Sequence, residues 1–429
     1  MTHERGRSRA QDSRVRVALV RVTTQASRDV DPEVALEELA GLADAAGAEV
    51  VATFTQERAT PDPATLIGQG KVEEVARAAA ARDIELVVFD NELSPGQTRN
   101  LEKAIARRVI DRTALILDIF ALRARTREGQ LQVELAQLKY LLPRLAGSSE
   151  ALSRLGGGIG TRGPGETKLE TDRRRLRARI SALESDIAAV QRRRGYLRAR
   201  RKRTDAPTVA LVGYTNAGKT TLFNRLTGAA AVASDALFVT LDPVMRRLRL
   251  PDARQIVLAD TVGFIDRLPH QLVAAFHATL EEVASADLLL HVMDASAGDR
   301  DRREQAVRAV LAEVGAEAVP VIEVMNKSDR LDSGEREGLS AARPDAVLVS
   351  ALDGAGIDDL ITRVARALSM DAERVRLALD SSQESDRRLI ADLYRHARVV
   401  SHQDEGGHVA IEADVPRRML PRVLSGGAR

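Results

Sequence analysis

The chain has 429 residues, more than one hydrophobic core usually supports, so we expect two to four domains. Its 44% hydrophobic and 29% charged residues are typical of a soluble protein, and the absence of cysteine excludes disulfides and Cys-ligated zinc or iron–sulfur centres. No run of about 18 uncharged apolar residues occurs, and the amino end has no signal-peptide pattern. We therefore expect a cytoplasmic monomer without a membrane span, and a membrane-peripheral fraction stays open.

The net charge of +2 hides an uneven distribution along the chain. Residues 123–204 hold 21 Arg and Lys against 8 Asp and Glu, a net charge of +13, which leaves −11 for the rest. A basic middle region between acidic regions indicates a polyanionic partner. Tyrosine and phenylalanine are few and tryptophan is absent, so recognition of structured RNA by shape and phosphate contacts fits better than stacking on single strands.

The amino-terminal third alternates short apolar β-rich runs with helical patterns. After a polar tail at 1–14, which we expect to be disordered, the strand-like runs are 15–22, 48–54 and 85–90. Helical patterns at 32–47, 70–83 and 98–108 alternate with them. The alternation predicts a small parallel α/β domain over 15–125.

Two apolar stripes at helical spacing follow within the basic region. Leu131, Leu135, Leu138 and Leu142 form the first stripe, and Ile180, Leu183, Ile187 and Val190 form the second. Two helices with narrow stripes and one connecting loop predict an antiparallel helical hairpin over 126–204. Gly195 is a candidate interruption of the second helix.

From residue 205 the strand, loop and helix pattern returns, now with uninterrupted apolar strands such as TVALV and DLLLHVMD. Continuous apolar runs are typical of strands buried on both faces. We therefore predict a doubly wound α/β domain over 205–370. Residues 371–429, with one helix and two strands around a glycine turn, predict a small α+β module.

The sequence GYTNAGKT at 213–220 follows the strand TVALV and opens a helical pattern. A phosphate chain needs unobstructed backbone N–H groups, a helix amino end, a long cation and a hydroxyl for Mg²⁺, and all four are present in the required order. This predicts a P-loop, in which Lys219 contacts the phosphates and Thr220 contacts Mg²⁺.

Four further motifs follow at suitable spacings. In Asp260-Thr-Val-Gly263, the Asp260 carboxylate can reach Mg²⁺ through water and the Gly263 N–H can meet a γ-phosphate. Thr240 in FVTLD can complete the Mg²⁺ shell. Asn326-Lys-Ser-Asp329 and Ser350-Ala-Leu352 each end a predicted strand and can contact a base. The predicted nucleotide-binding residues are Gly213, Tyr214, Thr215, Asn216, Ala217, Gly218, Lys219, Thr220, Thr221, Phe238, Val239, Thr240, Leu241, Asp242, Asp260, Thr261, Val262, Gly263, Asn326, Lys327, Ser328, Asp329, Ser350, Ala351 and Leu352.

Asp329 selects the base. Its two oxygens can accept the ring N–H and the exocyclic amine of guanine, whereas adenine would leave a desolvated carboxylate unpaired, at a cost of about 1 to 3 kcal/mol or more. We therefore predict GTP and GDP as ligands. Lys219, Thr240 and Gly263 are the candidate catalytic residues.

The position after Gly263, where many GTPases carry a water-orienting glutamine, holds Phe264 and then Ile265. Neither side chain can hold a water, so we predict slow hydrolysis by the protein alone. Two hypotheses supply the missing electrostatics: a partner that reorders the loops, and a K⁺ ion ligated by the Asn216 carboxamide.

The stretch GGGIGTRGPGE at 156–166 matches the dinucleotide-binding pattern by letter but has no preceding strand. We interpret it as the tip between the two basic helices, where glycines permit close approach to another backbone. Arg162 in this loop, with Lys168, Arg173 and Arg174 just beyond it, are the predicted RNA contacts. A merely flexible turn is the alternative.

With these motifs the chain resembles the HflX family of translation-factor-class GTPases, in the Obg–HflX group. The resemblance rests on IGQGKVEEV, DNELSPGQTRNLEKAI, DRTALILDIFALRARTREGQLQVELAQLKYLLPRL, GGGIGTRGPGETKLETDRR, GYTNAGKTTLFNRLT, FVTLDP, DTVGFI and NKSD. It covers nearly the whole chain and is weakest in the carboxyl-terminal module.

The resemblance implies a GTPase that binds the rRNA-rich large ribosomal subunit, is stimulated there, and in some members splits ribosomes under stress. It also implies that the glycine-rich loop is directed toward the peptidyl transferase region. ATP binding by the amino-terminal domain is described for some relatives, but GQGK at 68–71 lacks P-loop spacing. The alternative is a GTP-dependent regulator of a non-ribosomal protein or a membrane-surface partner, with solvated basic helices.

Overall fold

Four parallel strands form the first sheet of the computed structural model. They are β1 (Val15–Thr23), β2 (Ala48–Glu57), β3 (Leu86–Phe89) and β4 (Arg108–Asp111), in the order β2-β1-β3-β4. Helices α1 (Pro32–Ala45), α2 (Gln69–Ala81) and α3 (Pro95–Ile105) connect them. The predicted parallel α/β fold is confirmed. The sequence analysis missed β4 because the strand has only four residues and begins at Arg108, where the helical pattern at 98–108 ends.

The structure describes residues 14–24, 31–145, 164–202, 206–229, 237–238, 240–241, 243–252, 254–266, 282–368, 372–416, 419–420 and 423–424, and within 164–202 the side chains of 170–192. The predicted disordered tail lies outside these residues except for Arg14. The described chain falls into two units, one up to Ile187 that also includes 237–238, and one that holds the remainder.

Three helices follow the first sheet: α4 (Arg112–Arg123), α5 (Arg127–Arg144) and α6 (Pro164–Lys202). Leu135, Leu183 and Ile187 are buried together, with Leu131, Leu138 and Ile180 packed against them, so six of the eight stripe residues join the α5 and α6 helices. The pairs Arg179–Glu134 and Lys139–Glu184 connect the same two helices. Helix α6 continues through Gly195 without a break, so the expected interruption does not occur.

The second sheet has six strands. The strands are β5 (Thr208–Val212), β6 (Val244–Arg249), β7 (Gln255–Asp260), β8 (Leu288–Asp294), β9 (Val321–Asn326) and β10 (Val347–Leu348); the helices are α7 (Lys219–Thr227), α8 (Arg300–Glu313), α9 (Ser333–Ala342) and α10 (Ile357–Ala367). The strand order is β10-β9-β8-β5-β7-β6. Five strands are parallel and β6 is an antiparallel edge strand. This is the predicted doubly wound sheet with one added edge.

The last sheet is antiparallel. It contains β11 (Ala372–Asp380), β12 (Arg398–Glu405) and β13 (His408–Pro416) in the order β11-β13-β12, and helix α11 (Glu384–His396) packs Leu389 and Leu393 into its core. The predicted α+β module is confirmed, with β11 as an additional strand. In the part of the chain that the structure describes, no helix combines the length and apolarity needed to cross a bilayer.

Candidate nucleotide site

The P-loop begins where the buried strand β5 ends and stops where α7 begins. Residues 209–212 are fully buried, which fixes the start of the loop at the carboxyl edge of the sheet. Gly218 has φ of +88°, and a β-carbon there would lie 2.2 Å from Asn326 Nδ2. Only glycine therefore fits position 218. Asn216, with φ of +58°, lies exposed at the tip of the loop. The loop directs the amino end of α7 toward the edge, as an anion site requires.

The Lys219 ammonium is held across the loop rather than extended into solvent. The side chain is 6% exposed, and Nζ donates to the carbonyls of Gly213 (3.0 Å) and Tyr214 (2.8 Å). Burial lowers the pKa of Lys219 to about 8, although Asp260 opposes that shift. A buried cation of this kind is suited to an anionic ligand, because phosphate oxygens favour its charged form.

Three oxygen-bearing side chains from three segments meet beside Lys219. Thr220 Oγ1 lies 2.8 Å from Thr240 Oγ1 and donates to Asp260 Oδ2 at 2.8 Å, and Thr240 Oγ1 donates to the same oxygen at 3.0 Å. Burial raises the pKa of Asp260. Asp260 Oδ1 is buried without a hydrogen-bond partner among the described residues. Two hydroxyls and an unsatisfied carboxylate oxygen are the hard oxygen donors that Mg²⁺ prefers, so the residues fit that ion.

The segment after Asp260 runs back against the P-loop. Phe264 N–H donates to the Gly213 carbonyl (3.0 Å), and Thr215 N–H donates to the Phe264 carbonyl (2.7 Å). Phe264 and Ile265 are each 1% exposed, so their side chains belong to the core and cannot orient a water. Thr261 Oγ1 donates to the Leu211 carbonyl at 2.6 Å, and Val262 is buried. Thr261 therefore anchors the segment to β5.

Asn326 links the P-loop to the two segments predicted to contact the base, residues 326–329 and 350–352, which we call the base loops. Its Nδ2 donates to the Ala217 carbonyl (2.9 Å), and its Oδ1 accepts the Ala351 N–H (3.0 Å). Ser350 Oγ donates to Asp329 Oδ1 at 2.7 Å and thereby orients the carboxylate predicted to read guanine. Lys327 Nζ pairs with Asp294 Oδ2 at 2.8 Å. The structure thus brings the three motifs to one edge of the sheet.

Other predicted residues occupy different surroundings. Leu241 is buried and the Leu352 side chain is 69% exposed. Phe238 lies in the first unit, where its ring packs edge-to-face against Phe120 with centroids 4.6 Å apart. Val239 and Asp242 lie outside the described residues.

The predicted RNA contacts are described only in part. Arg162 and the side chain of Lys168 lie outside the described residues. Arg174 is exposed on α6 and Arg173 is half-buried. Their RNA role stays a prediction.

The sequence analysis predicted Ser350 as a nucleotide-binding residue but missed two side-chain contacts that organise the base loops. The Ser350 hydroxyl orients Asp329, and the Arg225 guanidinium on α7 donates to the carbonyls of Ala351 and Leu352. The serine in the motif was a signal for the first. Nothing in the spacing links Arg225 to residues more than 120 positions later.

A P-loop at the carboxyl edge of a doubly wound sheet, a Thr–Thr–Asp oxygen cluster and an Asn–Lys–Ser–Asp segment define a P-loop GTPase. Comparison with known families agrees with this class. Family models described as GTP-binding GTPase N-terminal, GTP-binding GTPase Middle Region and 50S ribosome-binding GTPase match residues 33–121, 123–201 and 208–327.

Curated relatives named GTPase HflX match over most of the chain. One from Caldanaerobacter subterraneus is 46% identical, covering 92% of this chain and 90% of its own, and one from Escherichia coli is 45% identical, covering 94% of each. A third, from Alkalihalophilus pseudofirmus, is 51% identical over 70% of this chain and 71% of its own. The chain belongs to the HflX family of GTPases, and it hydrolyses GTP.

Proposed function

We propose that this GTPase binds the large ribosomal subunit in its GTP form and remodels or splits ribosomes, with a role under stress. The observation that carries the proposal is the contact of Thr240 with Thr220 and Asp260, which lie in the P-loop and at the end of β7. A threonine that ligates Mg²⁺ in the GTP form and releases it in the GDP form is a way for nucleotide state to set partner affinity. The match to a ribosome-binding GTPase model supports the choice of partner.

The proposed roles of the site residues follow from its geometry. Lys219 and the P-loop amides bind the phosphates, and Thr220 and Thr240 ligate Mg²⁺, which would supply charge neutralisation at the β- and γ-phosphates. Asp260, which accepts from both threonines through Oδ2, would act on Mg²⁺ through water. Asp329, held by Ser350, reads guanine. An Asp329→Ala protein that still preferred GTP over ATP by orders of magnitude would contradict this assignment.

Hydrolysis by the protein alone is proposed to be slow because Phe264 and Ile265 are buried. Asn216, exposed at the loop tip, can offer its carboxamide oxygen to a K⁺ ion beside the phosphates. Such a cation would stabilise charge in the transition state as an arginine finger does. The proposal predicts faster turnover in K⁺ than in Na⁺ at equal ionic strength, and loss of that difference in Asn216→Ala. Equal rates in the two salts would contradict the K⁺ hypothesis, and a partner would then be the remaining proposed source of stimulation.

The basic region is proposed to contact rRNA. In its described part, Arg174, Arg175 and Arg177 are exposed within about one turn of α6. Exposed arginines on one long helix suit a phosphate backbone, and binding through them is weakened by salt. We further propose that Arg162 in the glycine-rich loop contacts RNA at the tip. Arg162→Ala should impair ribosome action and keep guanine nucleotide affinity.

Ribosome splitting can be measured directly. Intact ribosomes are incubated with the protein and GTP, a non-hydrolysable GTP analogue or GDP, and then separated on sucrose gradients. The proposal predicts conversion to free subunits with GTP and its analogue but not with GDP, and no conversion with Lys219→Ala. Intact ribosomes in every sample would contradict splitting. A second gradient with anionic lipid vesicles tests the alternative of a membrane-surface partner.

A further inference from the structure

Two side chains hold the segment that follows Gly263: that of Tyr214, in the P-loop, and that of Arg302, outside the recognised motifs. Asp266 N–H donates to the Tyr214 hydroxyl oxygen at 2.9 Å, and Asp266 Oδ2 accepts from the Arg302 guanidinium at 2.6 Å. These bonds lie just beyond the backbone bonds between Phe264 and the P-loop. The backbone bonds can form with any sequence, whereas the two side-chain bonds require Tyr214 and Arg302.

The surroundings hold both side chains in place. Tyr214 is 5% exposed, and the Arg303 guanidinium lies 5.3 Å from the centre of its ring. Arg302, in the first turn of α8, also pairs with Asp299, which precedes that helix. Although burial opposes it, hydrogen bonding to Asp299 and the charge of Asp266 raise the pKa of Arg302, so the guanidinium stays charged. The beginning of α8 is thereby connected to the P-loop through Asp266.

Gly263 lies directly beside the phosphate-binding groups. A β-carbon built on it would come within 2.9 Å of Thr215 Cγ2 and 3.1 Å of Lys219 Nζ. Its backbone is therefore as close to the P-loop as glycine allows, and a small displacement of residues 263–266 would move its N–H relative to a phosphate on Lys219. Hydrogen-bond energy falls steeply with such misalignment.

We infer that Tyr214 and Arg302 are positioning residues that hold residues 263–266 against the P-loop, so that the Gly263 N–H faces the γ-phosphate of GTP. The inference rests on the proposed placement of the γ-phosphate beside Lys219 and Gly263. GDP has no γ-phosphate and makes no use of the Gly263 N–H. Loss of either side chain therefore lowers GTP affinity selectively.

Four variants of the full-length protein separate this role from a general structural one. Tyr214→Phe removes only the hydroxyl that accepts the Asp266 N–H and keeps the ring beneath Arg303. Arg302→Ala removes the guanidinium, and Arg302→Lys restores a cation to Asp266. Arg308→Ala is the matched control, because it deletes an arginine from the same helix whose partners are Glu304 and Glu323.

The measurement is the dissociation constant for fluorescent GDP and for a non-hydrolysable GTP analogue with Mg²⁺. Tyr214→Phe and Arg302→Ala should each lower the affinity for the GTP analogue about 3- to 10-fold, which is the effect of one net hydrogen bond. The affinity for GDP should change by less than about 2-fold. Arg302→Lys should recover part of the loss, and Arg308→Ala should match the wild type for both ligands.

Two results would overturn the inference: an unchanged ratio of GTP-analogue to GDP affinity in Tyr214→Phe and Arg302→Ala, or an equal loss of both ligands. Lys219→Ala distinguishes this failure from failure of the proposed site. If Lys219→Ala loses both nucleotides while Tyr214→Phe keeps the wild-type ratio, only the positioning role is wrong. If Lys219→Ala binds both nucleotides normally, the proposed site itself is wrong.

Discussion

Asn326 offers a quantitative test of how the nucleotide site is built. Its carboxamide is 2% exposed and satisfies two backbone groups, the carbonyl of Ala217 and the N–H of Ala351, each also nearly buried. Asn326→Ala leaves both groups without that partner. A buried polar group left unsatisfied costs about 1 to 3 kcal/mol of stability. Because the structure can relax in part around the two groups, we expect a total loss of about 2 to 4 kcal/mol.

The assay is hydrogen exchange of peptides from β5 and β9 in the full-length protein, which reports the free energy of opening of this sheet without assuming two-state unfolding of several domains. Affinity for fluorescent GDP should fall at least about tenfold, as expected for 1.4 kcal/mol or more of lost loop organisation. Asn100→Ala is the control, because Asn100 is exposed and donates one bond to the Ala64 carbonyl (2.9 Å). The reasoning is refuted if Asn326→Ala matches Asn100→Ala in both measurements.

Two further predictions concern the P-loop and strand β8. Gly218→Ala places a β-carbon 2.2 Å from Asn326 Nδ2 at φ of +88°, so it should abolish nucleotide binding while Gly70→Ala, whose β-carbon meets nothing within 4 Å, should not. His291, 2% exposed in β8, has its pKa lowered by burial to about 4. The unfolded chain therefore takes up a proton at His291 below pH 6.5, whereas the folded chain takes it up only near pH 4. The free energy of unfolding is fully retained above pH 6.5 and falls as the pH drops toward 4. Between pH 7 and 5 the wild type should therefore lose about 2 kcal/mol more than His291→Gln in free energy of unfolding, measured by hydrogen exchange of β8 peptides; parallel pH profiles would contradict this.

The strands predicted from sequence are those whose burial leaves a clear pattern. Strand β8 is buried along nearly its whole length and reads as an unbroken apolar run. Strand β6 was missed because it pairs with the sheet on one side only and carries three exposed arginines in six residues. Strand β11 shows an alternation, with Leu377 and Leu379 facing the core, that the sequence analysis passed over.

The residues of the nucleotide site also differ in how far the sequence could predict them. The motif residues Lys219, Thr220 and Asp260 were predictable because a phosphate and Mg²⁺ require fixed residue types at the ends of consecutive strands. The contacts of Tyr214 with Asp266, and of Asp266 with Arg302, were not predictable. They depend on where α8 begins relative to the P-loop, a tertiary relationship that the spacing of residues does not encode.

The central claim is that GTP state controls binding to the large ribosomal subunit, and cosedimentation tests it most directly. Purified large subunits are pelleted with the protein bound to a non-hydrolysable GTP analogue or to GDP, at rising salt. We predict that the GTP-analogue form pellets with the subunits, that the GDP form binds more weakly, and that salt releases both as expected for phosphate contacts. Absence of cosedimentation by the GTP-analogue form at low salt, or equal binding of the two forms, would contradict the account.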